Sequence, residues 1–171
     1  MNKTYAGIGS RETPYKVIET MQATSKFLSK YGYSLYSGGA EGADEAFEKG
    51  ATNKTIWLPW DGFNGKFENG LDYVVPEEAK EFVSKYHPNP KRLSEKAFML
   101  MSRNAYQVLG PDLKSPVEFV LCWTKNGKAS GGTGQAMRIA KDYNIPIYNF
   151  KTDSRLIETL LRGIRWENGK I

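Results

Sequence analysis

Residues 5–11 (YAGIGSR), 35–44 (LYSGGAEGAD) and 119–135 (FVLCWTKNGKASGGTGQ) each run from a short apolar segment straight into glycines. A strand that ends in glycines turns sharply and bares its backbone N–H groups, and a helix that follows adds partial positive charge behind them. Working outward, residues 4–8 read as a strand, and Pro14 opens a helix in which Val17, Met21, Thr24, Phe27, Leu28 and Tyr31 recur at helical spacing until Gly32 stops it. Strands are expected at 34–36, 55–58, 117–123 and 147–150, with 117–123, the most apolar, placed centrally. Helices are expected at 43–51, 76–86, 94–109, from Gly134 to Tyr143, and at 154–165, the last facing inward with Leu156, Leu160, Leu161 and Ile164. Strands alternating with helices imply right-handed crossovers. The fold class is therefore α/β: a Rossmann-like, doubly wound, mainly parallel sheet with helices on both faces. In such sheets ligands lie outside the carboxyl ends of the strands, so the three glycine turns share one edge.

The 171 residues are expected to form a single domain spanning 1–171, interrupted by an irregular, aromatic-rich insertion at about 59–92. Net charge is +5, with Lys and Arg spread along the chain, which permits a polyanionic partner without forming a basic block. Cys122, the one cysteine, lies in an apolar run and reads as a core thiol. That usage, and the lack of any apolar stretch of membrane-spanning length, point to a cytoplasmic protein with no membrane partner. One histidine and one cysteine give no metal constellation, and we expect no cofactor.

Each turn has its own chemistry. In the first, Gly9 lets backbone approach a phosphate, Ser10 offers a hydroxyl and Arg11 a guanidinium fork. The second carries Gly38, Gly39 and Gly42; its Asp44 reads as a helix-dipole partner, whereas Glu41, set between glycines, is the candidate catalytic carboxylate or ribose acceptor. The third, with Gly131, Gly132, Thr133 and Gly134, is the strongest phosphate cradle. At the long loop Trp57, Trp60 and Phe63 offer stacking faces and Asn64 an amide for a base edge, with a core position for Trp57 and packing over the sheet edge for Trp60 as the competing roles.

The segments GIGSRETP, YSGGAEGADEAFEKGA, MSRNAYQVLG and SGGTGQAMRIAKDYNIPIYNF together resemble the SLOG superfamily, which includes DNA-processing protein A and the Lonely guy phosphoribohydrolases. The resemblance covers nearly the whole chain and is nearest to the nucleotide-fold core of DNA-processing protein A. It implies a nucleotide-type ligand at the glycine edge, adds Arg103 and Asn104 to the pocket, and suggests a homo-oligomer. Stand-alone members are frequent in bacteriophages, so it also implies a role in which a phage protein sequesters a bacterial immune signal in the host cytoplasm. The chain departs from the Lonely guy pattern: aligned on Gly131, Gly132 and Gly134, it has Gln135 for the Thr and Arg138 for the Glu that takes part in cleaving the N-glycosidic bond. An arginine supplies neither carboxylate nor base. Binding of a phosphorylated nucleotide without strong catalysis is thus the leading expectation. A nucleotide N-glycosidase using Glu41, and a mediator that binds single-stranded DNA, are the alternatives. The stripe of Phe98, Met99 and Met101 exceeds the needs of one packed helix face and supports pairing.

Overall fold

The computed structural model describes residues 3–69 and 72–169. Along the chain lie β1 (Thr4–Gly9), α1 (Tyr15–Lys30), β2 (Ser34–Ser37), α2 (Ala43–Gly50), β3 (Lys54–Leu58), β4 (Asp72–Val74), α3 (Lys80–Tyr86), α4 (Glu95–Leu109), β5 (Phe119–Trp123), α5 (Gly131–Asp142), β6 (Ile147–Asn149) and α6 (Ser154–Asn168). The strands form one sheet in the order β4-β3-β2-β1-β5-β6. Every neighbouring pair is parallel, so the sheet is wholly parallel rather than mainly so.

The chain steps outward from β1 to β4 and then returns to lay β5 against the other side of β1, in register from Tyr5 opposite Phe119 to Gly9 opposite Trp123. Crossovers leave β1 and β5 in opposite directions at that point, and a crevice opens between their carboxyl ends. Side chains alternate across the sheet, so successive strand residues feed two cores. Tyr5, Leu35, Phe119 and Leu121 pack with Met21 and Leu28 of α1, Phe47 of α2, and Ile157 and Ile164 of α6. Ala6, Ile8, Val120 and Cys122 pack on the other face with Val108 and Leu109 of α4 and with Ala136 and Ile139 of α5. Helices on both faces leave β5 entirely buried, as its apolar run requires, although it lies one strand from the edge rather than at the centre. Burial pushes the Cys122 thiol up to about 12, keeping it protonated.

Local details differ from expectation for physical reasons. Within the 59–92 segment, where periodicity lapses, β4 pairs with β3; three residues at a sheet edge are too few to show alternation. Helix α5 begins at Gly131, so the third set of glycines is the first turn of the helix itself. In α6 Ile164 is buried and Leu160 and Leu161 are half-buried against the core as expected, but Leu156 is 57% exposed and its neighbour Ile157 is buried instead. Phe98, Met99 and Met101 are each half-buried within the single chain. No helix among the described residues is long and apolar enough to cross a membrane.

Candidate functional site

At the reversal of strand order lies a cavity of ≈ 500 Å³. Gly9, Ser10, Arg11 and Glu12 come from the turn after β1, and Ala40 and Asp44 from the turn after β2. Helix α4 adds Leu100, Met101, Arg103, Asn104 and Gln107, the end of β5 adds Thr124 and Lys125, and Ser130, Gly131, Gly132 and Thr133 complete the wall. Arg11 and Lys125 are exposed at the rim, whereas Asp44, Arg103 and Gln107 are buried.

The first two turns interlock because their glycines have no side chains. A Cβ on Gly9 would stand 2.6 Å from that of Ala43, so the N-terminus of α2 packs directly on the end of β1. Gly42, at φ +83°, has its Cβ position 2.8 Å from the Ser10 carbonyl and 2.9 Å from Arg11 Cα. Within the first turn, Ser10 Oγ accepts from the Glu12 amide at 3.0 Å, and the Thr13 hydroxyl donates to the Ser10 carbonyl at 2.6 Å. Arg11 is thereby carried on a folded turn.

Behind these turns lie two buried groups of opposite charge, Asp44 and Arg103. Arg103 Nη1 donates to the Gly38 carbonyl at 2.7 Å, and its guanidinium lies 5.0 Å from the centre of the Phe63 ring. Burial pulls the Arg103 pKa down to about 10; Asp44 opposes the shift and Arg11 adds to it. Burial likewise raises Asp44 to about 6, against Arg103 and the backbone amides of Ala40, Gly9 and Gly38, which favour the carboxylate. Asp44 is thus more than a helix-dipole partner: it ties the backbone amides of two turns together at the cavity wall, with the charge of Arg103 in its field. Protonating it removes a negative charge from the site, so anion affinity is expected to rise by roughly 10-fold as pH falls from 7.5 to 5. Titrating sulfate, whose charge is constant over that range, measures this; a flat profile contradicts it.

The first turn of α5 leaves N–H groups without intrahelical acceptors, and Gly134 N is the first to find one, donating to the Ser130 carbonyl at 3.0 Å. Two amides of neighbouring helices brace this turn: Asn104 Nδ2 donates to the Gly132 carbonyl at 2.9 Å, and Gln135 Nε2 to the Met101 carbonyl at 2.9 Å. At Gly131, φ is +60° and nothing lies within 4 Å of a Cβ position, so the space beside it is open. The helix terminus, Arg11 and Lys125 together give the rim positive charge, with Glu12 paired to Lys125 at 3.6 Å.

The fold resembles that of DNA processing protein A. A solved structure of that protein from Helicobacter pylori, described as having a unique single-stranded DNA binding mode, matches with a TM-score of 0.57 at 19% sequence identity. The match covers 95% of this chain and 74% of that one. No family model and no curated protein matches the chain. At this identity the similarity to DNA processing protein A establishes the Rossmann-like fold.

Eight of the residues expected at the site line the cavity: Gly9, Ser10, Arg11, Arg103, Asn104, Gly131, Gly132 and Thr133. Four glycines act from behind it. Gly38 lies under Arg103 and Gln107, Gly39 accepts from Asn64, Gly42 joins the turns, and Gly134 packs against the Ala129 backbone. Glu41 is exposed and lies outside the lining. Arg138, at the position of the Lonely guy glutamate, donates from Nε to the Tyr86 carbonyl at 2.7 Å, away from the cavity. Trp60 stacks edge-on against Phe63 and lies under Lys96. Asn64 Nδ2 donates to the Gly39 carbonyl and Glu45 Oε1, each at 3.0 Å, so its amide pins the loop to the second turn. The loop's link to the site is Phe63, which covers Arg103. Asp44, Gln107, Thr124 and Lys125 are additions from the structure. Gln107 follows Arg103 by four residues and so shares its helix face, a signal present in the sequence.

Proposed function

We propose that the cavity binds a phosphorylated nucleotide, with the phosphate on the first turn of α5 between Arg11 and Lys125. The convergence of that helix N-terminus with two exposed cations is the observation that supports this reading most. The cavity's volume suits a nucleoside monophosphate or somewhat larger ligand. Binding without strong turnover follows from the placement of carboxylates. Asp44, on the buried side, is engaged by Arg103 and backbone amides, while Glu41 faces solvent. We infer from the glycine motifs and the fold that residues 1–171 form one SLOG-type unit, and that its biological role is capture of a nucleotide signal, as in phage proteins that blunt host immunity.

In this reading Arg11→Ala combined with Lys125→Ala weakens binding of a nucleoside monophosphate by about 10- to 100-fold, since charge-assisted hydrogen bonds are lost at the rim. Thermal stability stays within the small range usual for exposed positions. Calorimetric titration and a melting curve on the same samples read both, and unchanged affinity removes the proposal. Mass spectrometry of the incubated nucleotide addresses catalysis: intact ligand is expected, and released base would restore a hydrolase acting through Glu41.

A second reading, binding of single-stranded DNA, is favoured by the described binding mode of the solved neighbour and by the net charge of +5. A mononucleotide-sized site gives affinity independent of strand length and shallow in salt. A strand-binding surface instead gives affinity that grows with length and falls steeply with salt.

A further inference from the structure

Gln107 is 2% exposed, lines the cavity, and makes no hydrogen bond through its side-chain amide to any described residue. Its amide brings a carbonyl acceptor and two N–H donors, and these are not among the side-chain atoms sealed from solvent without a partner, so they face the open cavity. Other buried amides around the site donate to fixed acceptors, Asn104 to Gly132, Gln135 to Met101 and Asn149 to Thr124, although Gln135 Oε1 has no partner among the described residues. The position of Gln107 is also enforced. Its Nε2 occupies space 2.1 Å from where a Cβ on Gly38 would be, so it lies against bare backbone and cannot retreat that way. Arg103, one turn earlier, donates from Nη1 to the Gly38 carbonyl and feels the opposite charge of Asp44, while its Nε has no hydrogen-bond partner among the described residues. The buried side of the cavity therefore offers an uncharged donor–acceptor pair, flanked by apolar Ile8, Leu100 and Met101.

We infer that Gln107 is the specificity-determining residue of the pocket, reading the hydrogen-bonding edge of a nucleobase inserted between Ile8 and the Leu100–Met101 wall while the phosphate remains at the rim. The inference rests on the proposed nucleotide reading and adds orientation and selectivity to it: base inward, phosphate outward. A planar base suits both features of the inner wall. Its faces meet apolar side chains, and its edge presents an adjacent donor and acceptor, which a glutamine amide matches by pairing twice. Trp60 and Asn64, outside the cavity lining, are then not needed for base contact.

The test compares nucleoside 5′-monophosphates with ribose 5-phosphate, which has the phosphate and sugar but no base, on wild type, Gln107→Leu and Gln107→Glu. Wild type is expected to bind at least one nucleoside monophosphate more tightly than ribose 5-phosphate. Gln107→Leu should weaken that nucleotide by roughly 10- to 100-fold and leave ribose 5-phosphate unchanged, which also shows that the variant is folded. Gln107→Glu, which keeps the shape but replaces donors with an acceptor, should change the ranking among the four bases. Equal binding of nucleotide and ribose 5-phosphate by wild type overturns the role of Gln107 while leaving the phosphate site standing. A Gln107→Leu variant that binds the nucleotide as tightly as wild type does the same. Binding of neither probe by wild type removes the nucleotide reading and this inference with it.

Discussion

Arg103→Met is expected to destabilise the protein by about 3–5 kcal/mol, the cost of leaving a buried charge without its partner. Asp44 is 3% exposed and its ionised form relies on the Arg103 guanidinium, which is itself 8% exposed under Phe63. With the cation gone, the carboxyl retains backbone amides alone and its protonated form gains. The pH dependence gives the sign. An acid raised from 3.8 unfolded to about 6 folded contributes stability that is complete below the unfolded value and is lost as pH rises through the folded one. Removing Arg103 pushes the folded value higher, so urea unfolding of Arg103→Met should show a deficit that is greatest near pH 7.5 and narrows towards pH 5. Adding Asp44→Asn should recover part of the loss in the Arg103→Met background and none in wild type, a coupling that a double-mutant cycle reads directly. A deficit below 1 kcal/mol at every pH contradicts the electrostatic coupling of Asp44 and Arg103.

Gly42→Ala is the second large effect. The residue sits at φ +83° and ψ −118°, a conformation that L side chains rarely adopt, and its Cβ would meet Ser10 and Arg11 through their backbones, which have less freedom to yield than a side-chain tip. We expect a loss of about 2–4 kcal/mol in stability from strain and forced displacement. Anion affinity should fall by at least ~100-fold, because the displaced turn is the one that carries Arg11 at the rim. Gly132→Ala is the matched control: the nearest atom to its Cβ position is Met101 Cε at 3.6 Å, ordinary contact, so it should fold normally. Gly42→Ala binding sulfate as wild type does would show that the interlocked turns do not set the site.

The glycine turns were legible because glycine at strand ends is required by local geometry: close backbone approach at Gly9 and Gly42, and positive φ at Gly39, Gly42 and Gly131. Their sharing of one edge followed from parallel topology, and eight expected residues converge on one cavity. Other parts depend on contacts between distant segments. Asp44 has the sequence signature of a first-turn acid, and nothing local reveals that Arg103, 59 positions later, is buried within its electrostatic reach. Trp60 and Asn64 occur in an aromatic loop of the right composition, yet which ring turns towards the site is decided by packing: Phe63 covers Arg103 while Asn64 ties the loop to Gly39 and Glu45. Strand β4 lacked a pattern long enough to read. Gln107 stood on the Arg103 face of α4, but its lack of a partner is a property of the folded molecule.

Chemical-shift mapping of backbone amides during titration with a nucleoside monophosphate tests the phosphate placement most directly. The largest shifts are expected at Gly131, Gly132, Thr133, Ser10 and Arg11, with α6 and the opposite end of the sheet, where the Tyr33 hydroxyl donates to Glu118 at 3.0 Å, unmoved. Shifts confined to other surfaces, or none at ligand concentrations that saturate ordinary nucleotide sites, would contradict a phosphate-binding site at the first turn of α5.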